Sequence, residues 1–201
     1  MRGILQVHDA DDPDMIPTAQ TDPVIANLQA EGVNIDAPRT LFQPIQGLRL
    51  SLPDNLDGWT IPQELEDVNW QRTHTPVEAS DLLVNVNPEQ PTEAVYAVVA
   101  SLWLSNPRYP DIDAQYLYKQ NCAVCHGETG LSDGPGAFFT PVQPVAFGNT
   151  SYMFTMRSDV LYAKIRRGGM GTNMPNFGTL LTPEETWALL DYLWQLALEN
   201  D

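Results

Sequence analysis

The sequence predicts an all-α fold in the C-terminal half, behind an acidic, proline-rich N-terminal region that reads as largely irregular with one or more short helices. Three segments carry that prediction. Thr182-Pro183-Glu184-Glu185 is a helix start, with threonine as cap, proline at the first helical position and acids in the first turn. The apolar series Trp187, Leu189, Leu190, Tyr192, Leu193, Trp194 and Leu196 then reads as a packed last helix. Ala114 to Asn121 reads as a shorter amphipathic helix, and Pro91-Thr92-Glu93 followed by Ala94 to Leu104 as a capped apolar one.

Upstream of these, punctuation dominates. Asp9-Ala10-Asp11-Asp12-Pro13-Asp14 and prolines at 17, 23, 38, 44, 53, 62, 76, 88 and 91 recur too often for long helices. Thr40 to Ile45 and Gly47 to Leu52 read as short strands or extended arms. The chain therefore divides into an N-terminal region, 1–112, and a C-terminal domain, 113–201.

That domain contains Cys122-Ala123-Val124-Cys125-His126. Cys-x-x-Cys-His is the attachment motif of a c-type haem. Two thiols three positions apart on one helical turn can add to the two vinyl groups of one porphyrin, and the adjoining histidine is held against the iron. A thioredoxin-like redox pair, half of a zinc site or a plain disulfide would use the same spacing. These are the only two cysteines, no second Cys or His pair completes a zinc set, and no βαβ pattern surrounds them. One haem c, with Cys122 and Cys125 as thioether donors and His126 as proximal ligand, is the reading they leave.

Further along lies a glycine-rich loop, Arg167-Gly168-Gly169-Met170-Gly171-Thr172-Asn173-Met174-Pro175-Asn176-Phe177-Gly178. Glycines let such a loop press its backbone close to a flat cofactor, and a proline stiffens the residue before it. With the haem motif and the flanking helices, the segment from about Ala114 to Leu198 resembles the class I c-type cytochromes, whose distal ligand lies in a Gly-Thr-x-Met-Pro-x-Phe motif. The resemblance implies the class I cytochrome c fold, with the first helix crossing the last and Tyr116, Leu117 and Tyr118 near the cofactor. It makes Met174 the iron ligand opposite His126. Met170, Met153, Met156 and a distal histidine, His74 or His8, are the competing readings; gap filling in a core is the ordinary work of methionine. Arg157, Lys164, Arg166 and Arg167 are candidates to pair with haem propionates. Pro135, Pro141 or Pro144 is the expected source of a carbonyl for the second ring nitrogen of the histidine.

His/Met ligation fills both axial positions, so the expected function is electron transfer rather than catalysis. A haem peroxidase or oxidoreductase would need a vacant sixth site, and residues 1–112 hold no separate catalytic constellation. The helix over Ala94 to Leu104 matches the last helix at an offset of ninety-one residues, with Trp103 over Trp194 and Leu102 over Leu193. It is either the relic of a degenerate domain or an unrelated amphipathic helix.

Charge narrows the partners. Residues 1–112 carry five Lys/Arg against seventeen Asp/Glu, and 113–201 five against nine; the deficits of 12 and 4 sum to the net −16 of the chain. Such a surface excludes nucleic acid and anionic lipid as direct partners and favours a basic docking face on a redox protein. The longest apolar run falls short of the roughly 20 residues of a transmembrane helix, so no direct span is expected. The Cys-Ala-Val-Cys-His-Gly-Glu-Thr-Gly segment with its N-terminal extension is similar to the mono-haem cytochrome subunit of alternative complex III. That implies a place in a membrane-bound respiratory or photosynthetic quinol-oxidising complex, beside another cytochrome or an iron-sulfur subunit. A soluble periplasmic shuttle is the alternative. Haem c attachment implies an exported protein, periplasmic or on the outer face of the membrane, although Met1 to Asp9 shows no signal peptide and no cysteine for lipidation.

Overall fold

A computed structural model of the chain describes residues 22–35, 50–105, 107–169 and 171–199. Among them are ten α-helices and no strand. Helix α1, Pro23–Ala30, is capped by the Asp22 side chain, which accepts from the Val24 amide. Short helices α2, Gln63–Glu66, and α3, Val68–Thr73, precede α4, Pro76–Val86, and α5, Thr92–Leu104. The C-terminal half contributes α6, Ala114–Asn121, α7, Ala123–His126, α8, Thr150–Met153, α9, Ser158–Arg167, and α10, Pro183–Leu198. Both α4 and α10 begin with a full capping box, Thr75 with Glu78 and Thr182 with Glu185, which satisfies two orphan amides at each helix start.

The prolines that punctuate the N-terminal region start helices there. Pro23 and Pro76 occupy first-turn positions of α1 and α4, and Pro62 and Pro91 are the caps of α2 and α5. A proline lacks only an amide that would be unsatisfied at a helix start anyway, and its fixed φ suits that place. Residues 63–104 are consequently more helical than proline density alone suggests. The extended pieces expected at Thr40 to Ile45 and Gly47 to Arg49 lie outside the described residues; Leu50 to Leu52 are described and form no strand.

One apolar core unites both sides of residue 112. Leu65, Ala79 and Leu83 from α2 and α4 meet Val95, Val98, Val99, Leu102 and Trp103 of α5, and these join Phe154, Leu161, Trp187, Leu190, Leu193 and Trp194. Helix α5 buries residues on several faces because it packs against both α4 and α10. Trp103 and Trp194, the pair matched at the ninety-one-residue offset, touch each other edge to face with centroids 6.3 Å apart. Such a pair adds about 0.5–1.5 kcal/mol beyond the area it buries. Arg72 and Arg108 lie over the Trp187 ring at 4.4 and 4.6 Å, and Arg108 pairs with Asp191 at 3.0 Å. Burial pushes both members of that pair toward their neutral forms, and their mutual attraction opposes it. A smaller cluster, Ile25, Leu28, Ile35 and Ala163, seats α1 against α9.

Helix α6 spans the expected residues and packs along α10, with Tyr118 and Tyr192 rings 5.3 Å apart. Of the three residues expected beside a cofactor, Tyr118 is fully buried, Leu117 packs on the core and Tyr116 is exposed.

Candidate haem site

The proximal side is built within one short stretch. Cys122 ends α6, its amide donating to the Tyr118 carbonyl at 2.8 Å, and opens α7 by accepting from the amides of Cys125 and His126 at 3.1 and 2.9 Å. The two cysteines are half-buried and form no disulfide with each other, and both lie in a single turn with His126. Burial, with Cys125 alongside, pushes the Cys122 thiol up to about 12. A thioether, which does not ionise, suits that dry position.

His126 is aimed from its back. Its Nδ1 lies 2.8 Å from the Val145 carbonyl. A carbonyl only accepts, so Nδ1 carries the proton and Nε2 keeps its lone pair for a metal. Burial lowers the His126 pKa, against the opposing effect of the Val145 hydrogen bond, and so favours the neutral, ligating imidazole. Phe147 stacks on the ring at 4.6 Å.

The carbonyl comes from Val145 rather than from Pro135, Pro141 or Pro144. Pro144 O is occupied by the Ser132 hydroxyl at 2.7 Å, while the Ser132 amide donates to His126 O at 2.7 Å. Ser132 is the one non-glycine residue with positive φ among those described, at 66°. It clasps the His126 turn to the Pro144-Val145 segment, and no residue pattern in the sequence marked it. The Tyr118 hydroxyl donates to Gly127 O at 2.8 Å and fixes the exit of α7. Gly136 closes over the motif: a Cβ there would lie 2.9 Å from Val124 O and 3.1 Å from Cys125 Sγ. Its absence leaves room at a sulfur that would carry the porphyrin.

The distal side is a loop between α9 and α10. Gly168, at φ 76°, turns the chain so tightly that a Cβ would meet Met174 O at 2.8 Å. Gly169 donates to that same oxygen at 3.2 Å, and the Met174 amide donates to the Thr172 hydroxyl at 3.2 Å. Asn176 caps the 3-10 turn Phe177–Thr179. Met174 is half-buried against the core. Asn173 donates to Phe139 O at 3.4 Å, in the 3-10 turn Ala137–Phe139 that also contacts α7. The haem motif and the methionine loop therefore border one common turn.

The competing residues sit elsewhere. Met153 and Met156 are buried in the core. His74 is stacked on Trp70 at 4.0 Å, and its Nδ1 lies 2.9 Å from Trp70 O. His8 and Met170 lie outside the described residues. Of the four candidates to pair with haem propionates, Arg157 pairs with Asp159 and Glu31, and Arg166 is buried against Asp22.

The donor set fits a c-type haem: two thiols and a neutral imidazole on one turn, with a thioether on a loop that borders the same 3-10 turn.

Residues 112–193 match the family model described as cytochrome c oxidase, cbb3-type, subunit III. No curated protein matches. Among solved structures, a chain of the Kuenenia stuttgartiensis reducing HAO-like protein complex is similar at 25% identity with a TM-score of 0.39, over 54% of this chain and 62% of that one, less than two thirds of its length. The family match and the all-helical architecture agree: the C-terminal half of this chain carries a cytochrome c domain, whose cofactor is haem c.

Proposed function

We propose that this chain transfers electrons through one haem c, bound covalently by Cys122 and Cys125 and ligated by His126 and Met174, as an exported subunit of a membrane-bound quinol-oxidising complex. The observation that carries the haem reading is the protonated Nδ1 of His126 held on Val145 O, which presents Nε2 as a ligand. The cofactor supplies a one-electron iron couple. The chain supplies orientation from behind His126, a thioether that favours the reduced metal, and exclusion of water by Phe147, Phe177 and the core beneath Met174. With His126 and Met174 both holding the iron, no position would remain for a substrate to bind it, which supports transfer over catalysis.

Membership of a complex is supported by the organisation of the chain. Residues 63–104 are packed into the same core as the cytochrome domain and present an acidic exterior, with Glu64, Glu66, Asp67, Glu78, Asp81, Glu89 and Glu93. An acidic exterior of this kind suits a basic redox partner. No helix among the described residues is long and apolar enough to cross a membrane, so attachment would run through other subunits, one of them another cytochrome or an iron-sulfur protein.

A haem-stained native gel of mildly solubilised membranes, run beside the soluble fraction with mass spectrometry of the stained band, tests this. A large band holding quinol-oxidising subunits is the expected result. A small band in the soluble fraction would make the protein a periplasmic shuttle.

A further inference from the structure

The loop that bears Met174 is stapled at its base by a buried charge. Arg166, in the last turn of α9, is 1% exposed. One of its terminal nitrogens donates to the carbonyl of Leu181, on the far side of the loop. The guanidinium thus bridges the segment's two ends, and Met174 lies between them. Within the loop, the Gly169 amide on Met174 O closes a turn beside the end of α9, and the Met174 amide donates to Thr172. The loop's tether to the 3-10 turn, Asn173 to Phe139, is exposed and long. Phe177, buried in the core, and Met174, packed against it, anchor the middle of the loop, and the Arg166 staple joins its two ends.

The counter-charge comes from far away in sequence. Asp22 is 5% exposed, and its Oδ2 lies 3.3 Å from Arg166 Nε and accepts the Tyr162 hydroxyl. Its Oδ1 caps α1 through the Val24 amide. Asp22 lies well outside the cytochrome domain at 112–193. Arginine does not deprotonate in proteins, so a buried guanidinium deprived of its carboxylate must reach for water. Reaching for water pulls it off Leu181 O.

We infer that Asp22 is a positioning residue for the distal ligand: acting through Arg166, it keeps the Met174 loop closed on the iron. The inference rests on the reading of Met174 as that ligand. An N-terminal segment foreign to the cytochrome domain thereby sets how readily the sixth position opens.

Imidazole titration of the ferric holoprotein measures this, because imidazole binds only when Met174 leaves, and its apparent affinity tracks the open population. Asp22→Asn is expected to raise imidazole affinity about tenfold or more, a fraction of the cost of breaking a buried pair. Arg166→Lys, which keeps the charge and loses the fork, is expected to do the same, and Tyr162→Phe to raise affinity less. The methionine-to-iron charge-transfer band should weaken in the same order. A purely structural Asp22 would lower the denaturation midpoint and leave imidazole affinity in native buffer unchanged, and that result overturns the inference. If Asp22→Asn yields no folded holoprotein, unchanged affinity in both Arg166→Lys and Tyr162→Phe overturns it instead. Met174→Ala separates the two levels. Tight imidazole binding in Met174→Ala with none gained in Asp22→Asn removes only the role of Asp22, whereas wild-type affinity in Met174→Ala removes Met174 as ligand and the inference with it.

Discussion

The two sides of the candidate haem site are held in different ways. On the proximal side, Cys122, Cys125 and His126 share one turn, and the contacts that orient them, from Tyr118, Ser132 and Val145, come from residues within twenty positions of the histidine. On the distal side, Met174 belongs to the loop that follows α9, where Arg166 bonds Leu181 O across the loop and pairs with Asp22, which lies 144 positions before it. A locally built ligand is committed once its helix forms. On the proposed reading, a ligand on such a loop is only as secure as a remote pair.

That contrast is testable, starting with the largest expected effect. Replacing His126 with Ala should abolish stable haem incorporation, read as loss of haem stain. Met174→Ala should leave the covalent haem in place and lower the midpoint potential on the order of 100 mV, nearly two decades at about 59 mV each. Equal loss of stain in both variants would break the contrast.

Trp103→Ala comes next, because it asks whether the distal side truly leans on the N-terminal region. Removing a buried tryptophan costs about 3–5 kcal/mol, and the loss should register at the haem as well as in circular dichroism, as one cooperative transition. A haem transition unmoved by Trp103→Ala would show that the two regions unfold independently.

Ser132→Ala sharpens the proximal half. Loss of its hydroxyl bond to Pro144 O should lower holoprotein stability by about 1 kcal/mol, measured by chemical denaturation, while leaving imidazole affinity at the wild-type value. A rise in imidazole affinity would mean that the two sides are coupled.

The smallest effect is expected at Glu31→Gln. Glu31 pairs with Arg157 at 3.3 Å, with its side chain about half exposed, at the same α1/α9 interface as the Asp22 pair. Exposed pairs contribute about 0–1 kcal/mol, so stability should change by no more than that and the distal loop should not respond. A Glu31 effect as large as that of Asp22 would point to the interface as a whole rather than to the buried charge.

What could be read along the chain tracks the same division. The Cys122-to-His126 motif, the bounds of α6 and the capped start of α10 depend on residues a few positions apart, so spacing alone was sufficient for them. The prolines marked a region of short helices, as expected, but not which of them would start one, because a helix starter and a helix breaker look alike until the following turn is seen. Val145 was missed by one residue, since which carbonyl faces His126 depends on Ser132 taking the one before it. Arg166 read as a surface cation for a propionate, and nothing near it in sequence announced a buried carboxylate partner.

The sequence by itself determined the chemistry to expect, covalent attachment, a proximal imidazole and a methionine loop beyond it, because those expectations depend on residue type and short spacing. Only the tertiary structure decided that α2 to α5 share the core of the cytochrome domain and that Asp22 closes on Arg166. Burial and the pairing of distant charges are properties of how helices pack, and packing brings together residues that no local pattern connects.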